Sequence, residues 1–288
     1  MYTETSSSDH AFSIPTSQNY QICGILNAPS AELPTVKAQS KLIIIPVLKE
    51  SDLYIHSTQS QRKFYNKNGY DVLRLALSHS DHKARDFKDI TLGHMAADIR
   101  RACDVLRADY GHIYIAAHGF AAFATALANA DTDGQSLSEP CFTPYENFVE
   151  SGYGYNRALD IYQSLSNPVD YLNPRLVESC KLFDLESCRS MIQSIDRPTQ
   201  FVWAENGLGS NISALYKAHL YTHAQSLTIK GADHHFNNAN SIERAAIQSL
   251  EWFTYCGYMY DLSALQAQSA TGSAQYTAPQ SSATYTVN

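Results

Sequence analysis

With 288 residues, 44% of them hydrophobic, the chain can bury one substantial core. Charged residues make up only 17% and the formal net charge is −7, so no basic stripe is available for a phosphate backbone and a nucleic-acid partner is not expected. The N-terminal MYTETSSSDHAFSIP has neither a basic nor an apolar signal region, and no run of about 18 apolar residues occurs, so the expectation is a soluble, cytoplasmic protein without a membrane span.

Residues 1–10 are polar and read as a flexible start, and Ala11–Ile14 and Tyr20–Leu26 read as two short antiparallel strands, with Gly24 marking a bulge. KLIIIPV (Lys41–Val47) is continuously apolar and β-branched, which fits a parallel strand covered on both faces. A helical pattern over 57–68 stops at Gly69, and YDVLRLAL (Tyr70–Leu77) returns to strand composition, completing a βαβ unit. Met95, Ile99, Cys103 and Leu106 recur at helical spacing, followed by Gly111, the strand HIYIAA (His112–Ala117) and an alanine-rich helix over 121–130.

From about 131 to 198 the pattern loosens into Tyr, Phe, Pro and Gly, with short helices expected near 156–166 and 174–194; this stretch reads as a lid. Regular alternation resumes with TQFVWAE (Thr199–Glu205), a helix at 211–223, SLTIK (Ser226–Lys230) and a last helix from Ser241, capped by Asn240 with Glu243 as reciprocal acid. One domain over 11–262 is expected, followed by a disordered Ser/Ala/Thr/Gln tail over 263–288. The six cysteines lack C-x-x-C spacing and read as reduced packing residues. Histidines and carboxylates in HSDH (79–82) and DHH (233–235) read as solvated turns, so no metal is expected, and without a phosphate-binding glycine motif no cofactor is expected either.

Alternating elements of this kind give an α/β fold with a mostly parallel sheet and helices on both faces. Four local features narrow it further. IYIAA running into AHGFAA and a helix resembles the strand, nucleophile elbow and helix of α/β-hydrolases, usually G-H-S-x-G-G. GADHHF resembles that family's catalytic-histidine loop, GYDVLRLAL its GY-x-V strand, and FVWAENGLG its acid loop near the end of the sheet. The resemblance spans about residues 11–258 and implies an α/β-hydrolase fold with a helical lid insertion.

Carried over residue by residue, the resemblance puts Gly119 at the nucleophile position, although a one-residue shift would put His118 there instead. Glycine tolerates the strained turn but offers no oxygen. In the best register Gly207 takes the place of the acid, and Glu205, two residues earlier, is the alternative carboxylate if the loop bends differently. His234 matches the catalytic histidine and is the retained triad position, a candidate general base. The family's H-G oxyanion turn is missing from IIIPVLKESD, which leaves the Phe120 N–H as the recognisable donor.

These departures make serine esterase or thioesterase turnover unexpected. The first reading is a catalytically degenerate hydrolase-like pseudoenzyme that binds a small apolar or acyl-type ligand or supports a partner protein. His118, Phe120, Tyr153 and Tyr155 are its binding residues, and Phe142, Tyr145, Phe148 and Tyr162 add to an aromatic lid. The alternative is an enzyme of atypical mechanism with His234 as base. On either reading Gly119→Ser alone should not restore esterase activity, because Gly207 leaves His234 without an acid, and adding Gly207→Asp should help more than additively.

Overall fold

In the computed structural model of the chain, the residues described are 9–28, 40–81, 83–140, 145, 152–165, 171–207 and 224–272. The expected helix at 211–223, Phe142, Phe148 and the last sixteen residues lie outside them.

Eight strands form the central sheet in the order β1-β2-β4-β3-β5-β6-β10-β11. β1 (Asp9–Pro15) and β2 (Gln21–Asn27) form an antiparallel hairpin, and β2 runs antiparallel to β4 (Asp71–Ala76). The remaining strands, β3 (Lys41–Val47), β5 (His112–His118), β6 (Gly134–Ser138), β10 (Thr199–Asn206) and β11 (Ala224–Asp233), are parallel to their neighbours from β4 onward. Gly24 marks no bulge. The β2–β4 register runs through it unbroken, and a Cβ there would collide with the carbonyl oxygen of Arg74 on the next strand, so glycine permits close approach.

The apolar run of β3 is explained by two cores. Leu42 and Ile44 enter one cluster while Ile43, Ile45 and Val47 enter the other, as strand alternation requires. Ile113, Ile115 and Ala117 of β5 likewise face the first cluster, and Tyr114 and Ala116 the second. Helices α2 (Leu92–Leu106) and α3 (Gly119–Ala128) cover the first face; α1 (His56–Lys67) and α6 (Ala239–Gly272) cover the other.

Three elements differ from the sequence expectation. β6 lies inside the stretch read as a lid, so the excursion from the sheet starts after Glu139 rather than at 131. The segment expected as helix near 156–166 is a hairpin, β7 (Tyr153–Asn156) and β8 (Ile161–Ser164), extended by β9 (Tyr171–Leu172). Tyr and Ile favour strands, and Asn156 turns the chain by accepting from the N–H groups of Ala158 and Leu159. Helices α4 (Pro174–Cys180) and α5 (Leu185–Ser194) occupy the second helical stretch as expected. Finally, α6 starts two residues early, with the Asn238 side chain accepting from the Ser241 N–H, and continues past Ser263 to Gly272. The Ala, Leu and Gln content of that end favours helix strongly enough to outweigh its low complexity.

Candidate functional site

The site forms at the C-terminal ends of β5, β6 and β10. β5 ends at His118, and Gly119 opens α3 with φ +57, so the strand-to-helix turn falls at Gly119 and not at His118. This left-handed conformation costs a residue with a Cβ about 1–2 kcal/mol and glycine almost nothing. A Cβ built on Gly119 meets nothing within 4 Å, so the tip of the turn faces open space. Phe120 follows in the first turn of α3, where backbone N–H groups lack helical acceptors and the helix dipole is positive.

His118 points into the loop after β11. Its Nε2–H donates to the His234 carbonyl at 2.7 Å, which pins the histidine loop beside the elbow. Burial, reinforced by the neighbouring His234, pushes the His118 pKa down to about 4, so the ring is neutral at ordinary pH. The rings of His118, His234 and His235 lie within 4.9–6.3 Å of one another, yet no group of three or more His, Cys, Asp or Glu side chains among the described residues is arranged to hold a metal ion.

His234 has an acid partner, Glu139. The Glu139 Oε2 stands 3.0 Å from His234 Nδ1, with the carboxylate wholly buried and the imidazole 17% exposed. The Ala204 N–H donates to Oε1, so both carboxylate oxygens are engaged. Glu139 sits just past β6 with φ +44, and its own N–H donates to the Val202 carbonyl. A carboxylate at Nδ1 fixes the proton on that nitrogen and leaves Nε2 with the lone pair.

The carboxylate paired with His234 comes from the end of β6, not from the end of β10 where the sequence resemblance puts the acid. Glu205, the alternative candidate, is exposed and accepts from the Gly231 N–H instead of serving His234. Gly207, the expected acid position, has a different role: a Cβ there would overlap the Glu139 carboxylate. Glycine at 207 therefore makes room for an acid arriving from β6, which also reverses the expectation that Gly207→Asp would repair the site. The sequence signal that could have located Glu139 was the acid after a small-residue strand, GQSLSE, but that segment was read as lid.

Of the expected binding residues, Phe120 and Tyr153 pack at the margin of the first core cluster. Tyr155 stands at the exposed end of the β7–β8 hairpin, its ring on Tyr162 and its hydroxyl donating to Asp160. Lys49, just beyond β3, lies over the rings of Phe87 and Tyr171 and donates to the Tyr171 carbonyl, while its backbone N–H caps a turn through Asp52.

Among solved structures, the esterase Est1E from Butyrivibrio proteoclasticus, in its ferulic-acid-bound form, superposes with a TM-score of 0.66 at 16% identity, over 85% of this chain and all of that one. The α/β-hydrolase GrgF from Penicillium sp. sh18 gives 0.64 at 13% identity, over 87% and 99%. An esterase domain from Rhodothermus marinus gives 0.61 at 12%, over 87% and 98%. The chain has the α/β-hydrolase fold. No family model and no curated protein matches its sequence. On this fold, Gly119 occupies the strand-to-helix turn at the end of the fifth strand, and the Glu139–His234 pair stands beside it. Among the described residues no helix is long and apolar enough to cross a membrane, and Cys103, Cys180, Cys188 and Cys256 are buried and form no disulfide.

Proposed function

We propose that this chain binds a small acyl- or ester-type molecule at the elbow and hydrolyses it by general-base catalysis, with water standing where a serine oxygen acts in other proteins of this fold. The observation that carries the reading is the Glu139–His234 bond with its buried carboxylate. Burying a carboxylate reduces stability, and a site that only binds could use an apolar residue at 139 without that cost. The esterase neighbours fit a carbonyl-bearing substrate, by analogy of fold alone.

In this scheme Nε2 of His234 takes a proton from water, and the oxygen adds to the substrate carbonyl carbon. The Phe120 N–H at the start of α3 faces the developing oxyanion. Collapse expels the alkoxide or thiolate, which recovers the proton from the imidazolium, while Glu139 keeps the ring oriented and its charge balanced. His118 holds the loop and takes no part in proton transfer.

A second reading, a pseudoenzyme that binds without turnover, is favoured by the missing oxygen at Gly119. The two separate in one comparison: wild type, Glu139→Gln and His234→Ala on a panel of p-nitrophenyl esters and acyl thioesters, with ligand affinity measured alongside. General-base hydrolysis predicts wild-type turnover that falls by about 10²–10⁴ in either variant with affinity kept within a few fold. Retained affinity with no turnover in the wild type establishes the binding reading instead.

A further inference from the structure

A cavity of about 920 Å³ lies at the opposite edge of the sheet from Gly119. It lies among the N-terminal ends of β6, β10 and β11, beneath one face of α6 that runs from Gln248 to Ser263. Strands of this length put it about 20 Å from Gly119. The volume is in the range of sites that enclose a small organic molecule.

Two polar groups of wall residues have neither a hydrogen-bond nor an ion-pair partner among the described residues: the indole Nε1 of Trp252 and the hydroxyl of Thr132. Both residues are more than nine-tenths buried, at 7% and 4% exposure. A buried orphan of this kind is uncommon in folded proteins, and two in one wall mark a place where a partner belongs. Three aromatic side chains of α6, Trp252, Tyr255 and Tyr260, stand in the wall: the Trp252 ring stacks on Tyr255 at 5.7 Å between centroids, and Tyr255 and Tyr260 are each about half exposed. The floor holds Arg107 and Arg197, but aspartates already engage both. Arg107 pairs with Asp133 at 2.8 Å, and Arg197 with Asp131 and Asp196 at 3.1 Å each. With Glu251 also in the wall, carboxylates outnumber guanidiniums.

We infer that this cavity is a second ligand site, taking a planar aromatic molecule that is uncharged or cationic and presents a hydrogen-bond acceptor to Trp252 Nε1–H and the Thr132 hydroxyl. Trp252, Tyr255 and Tyr260 supply stacking area, the indole can only donate, and the excess of carboxylates disfavours anions.

The test uses Nile red, an uncharged planar dye with a carbonyl acceptor, titrated against the full chain, with the anionic dye 1-anilinonaphthalene-8-sulfonate in parallel. The expected result is saturable one-to-one binding of Nile red with a blue shift and quenching of tryptophan emission, and weaker binding of the sulfonate. Trp203, the other tryptophan, is buried with its Nε1–H on Ser226, so the quenching reports on Trp252. Thr132→Val and Trp252→Phe should each weaken Nile red about three- to tenfold, as loss of one hydrogen bond does, with the melting temperature unchanged or raised in Thr132→Val because its hydroxyl has no partner in the free protein. His234→Ala should leave the titration unchanged, which separates this site from the elbow. Nile red affinity unaffected by both cavity variants, affinity lost in His234→Ala, or tighter binding of the sulfonate overturns the inference.

Discussion

Glu139 and Gly207 are best understood as one unit. The carboxylate occupies the volume that any side chain at 207 would need, and that same volume lets it reach both His234 and the Ala204 N–H. Gly207→Ala should therefore displace the acid and lower stability by about 1–3 kcal/mol, measurable by urea denaturation, as overpacking in a filled interior does. A neutral result would mean that Glu139 has room to move and that its position is not fixed by the site. His118 gives a second prediction, in pH. Its folded pKa of about 4 lies below the unfolded value near 6.5, so between those values the unfolded chain holds the extra proton. The neutral ring's contribution is thus complete above pH 6.5 and is lost as the pH falls toward 4. Wild type should lose more stability between pH 7 and 4.5 than His118→Gln does, and equal losses would contradict the burial of this ring.

At the level of elements, the close seating of α6 on the sheet holds the second core together. A Cβ on Gly134 of β6 would come 2.9 Å from the Cys256 sulfur, and one on Gly257 would come 2.8 Å from the Tyr114 hydroxyl. Gly134→Ala should cost about 1–3 kcal/mol by pushing α6 outward, read as a lower urea midpoint with unchanged slope. The sheet strands were legible in the sequence because they are buried on both faces and appear as continuous apolar runs. Lys41–Val47 and His112–Ala117 are the clearest cases. β6 was not legible, since GQSLS is short and polar, and its Ser136 and Gln135 are buried by bonds to Ser249 and Thr199 that no periodicity reveals. Missing that strand hid the acid that follows it. The strand-to-helix turn after β5, by contrast, was readable from the small residues around it, and it falls at Gly119 as expected.

Across the whole molecule, the hydrolase fold brings the ends of three strands and the loop after a fourth to one edge, so that an acid can move from one strand end to another and still reach the same histidine. In the proposed mechanism Glu139 and His234 form a competent acid–base pair beside a turn that lacks only a nucleophilic oxygen. The expectation from sequence that Gly119→Ser would stay inert assumed that His234 had no acid; with Glu139 in place and open space at the tip, the opposite follows. The most direct measurement is fluorophosphonate labelling of wild type, Gly119→Ser and Gly119→Ser/Glu139→Gln, each verified as folded by circular dichroism. The account predicts no label on wild type, stoichiometric label at position 119 in the single variant, and labelling slowed at least about 10²-fold in the double variant. A folded Gly119→Ser that stays unlabelled, or one whose labelling is indifferent to Glu139→Gln, would contradict it.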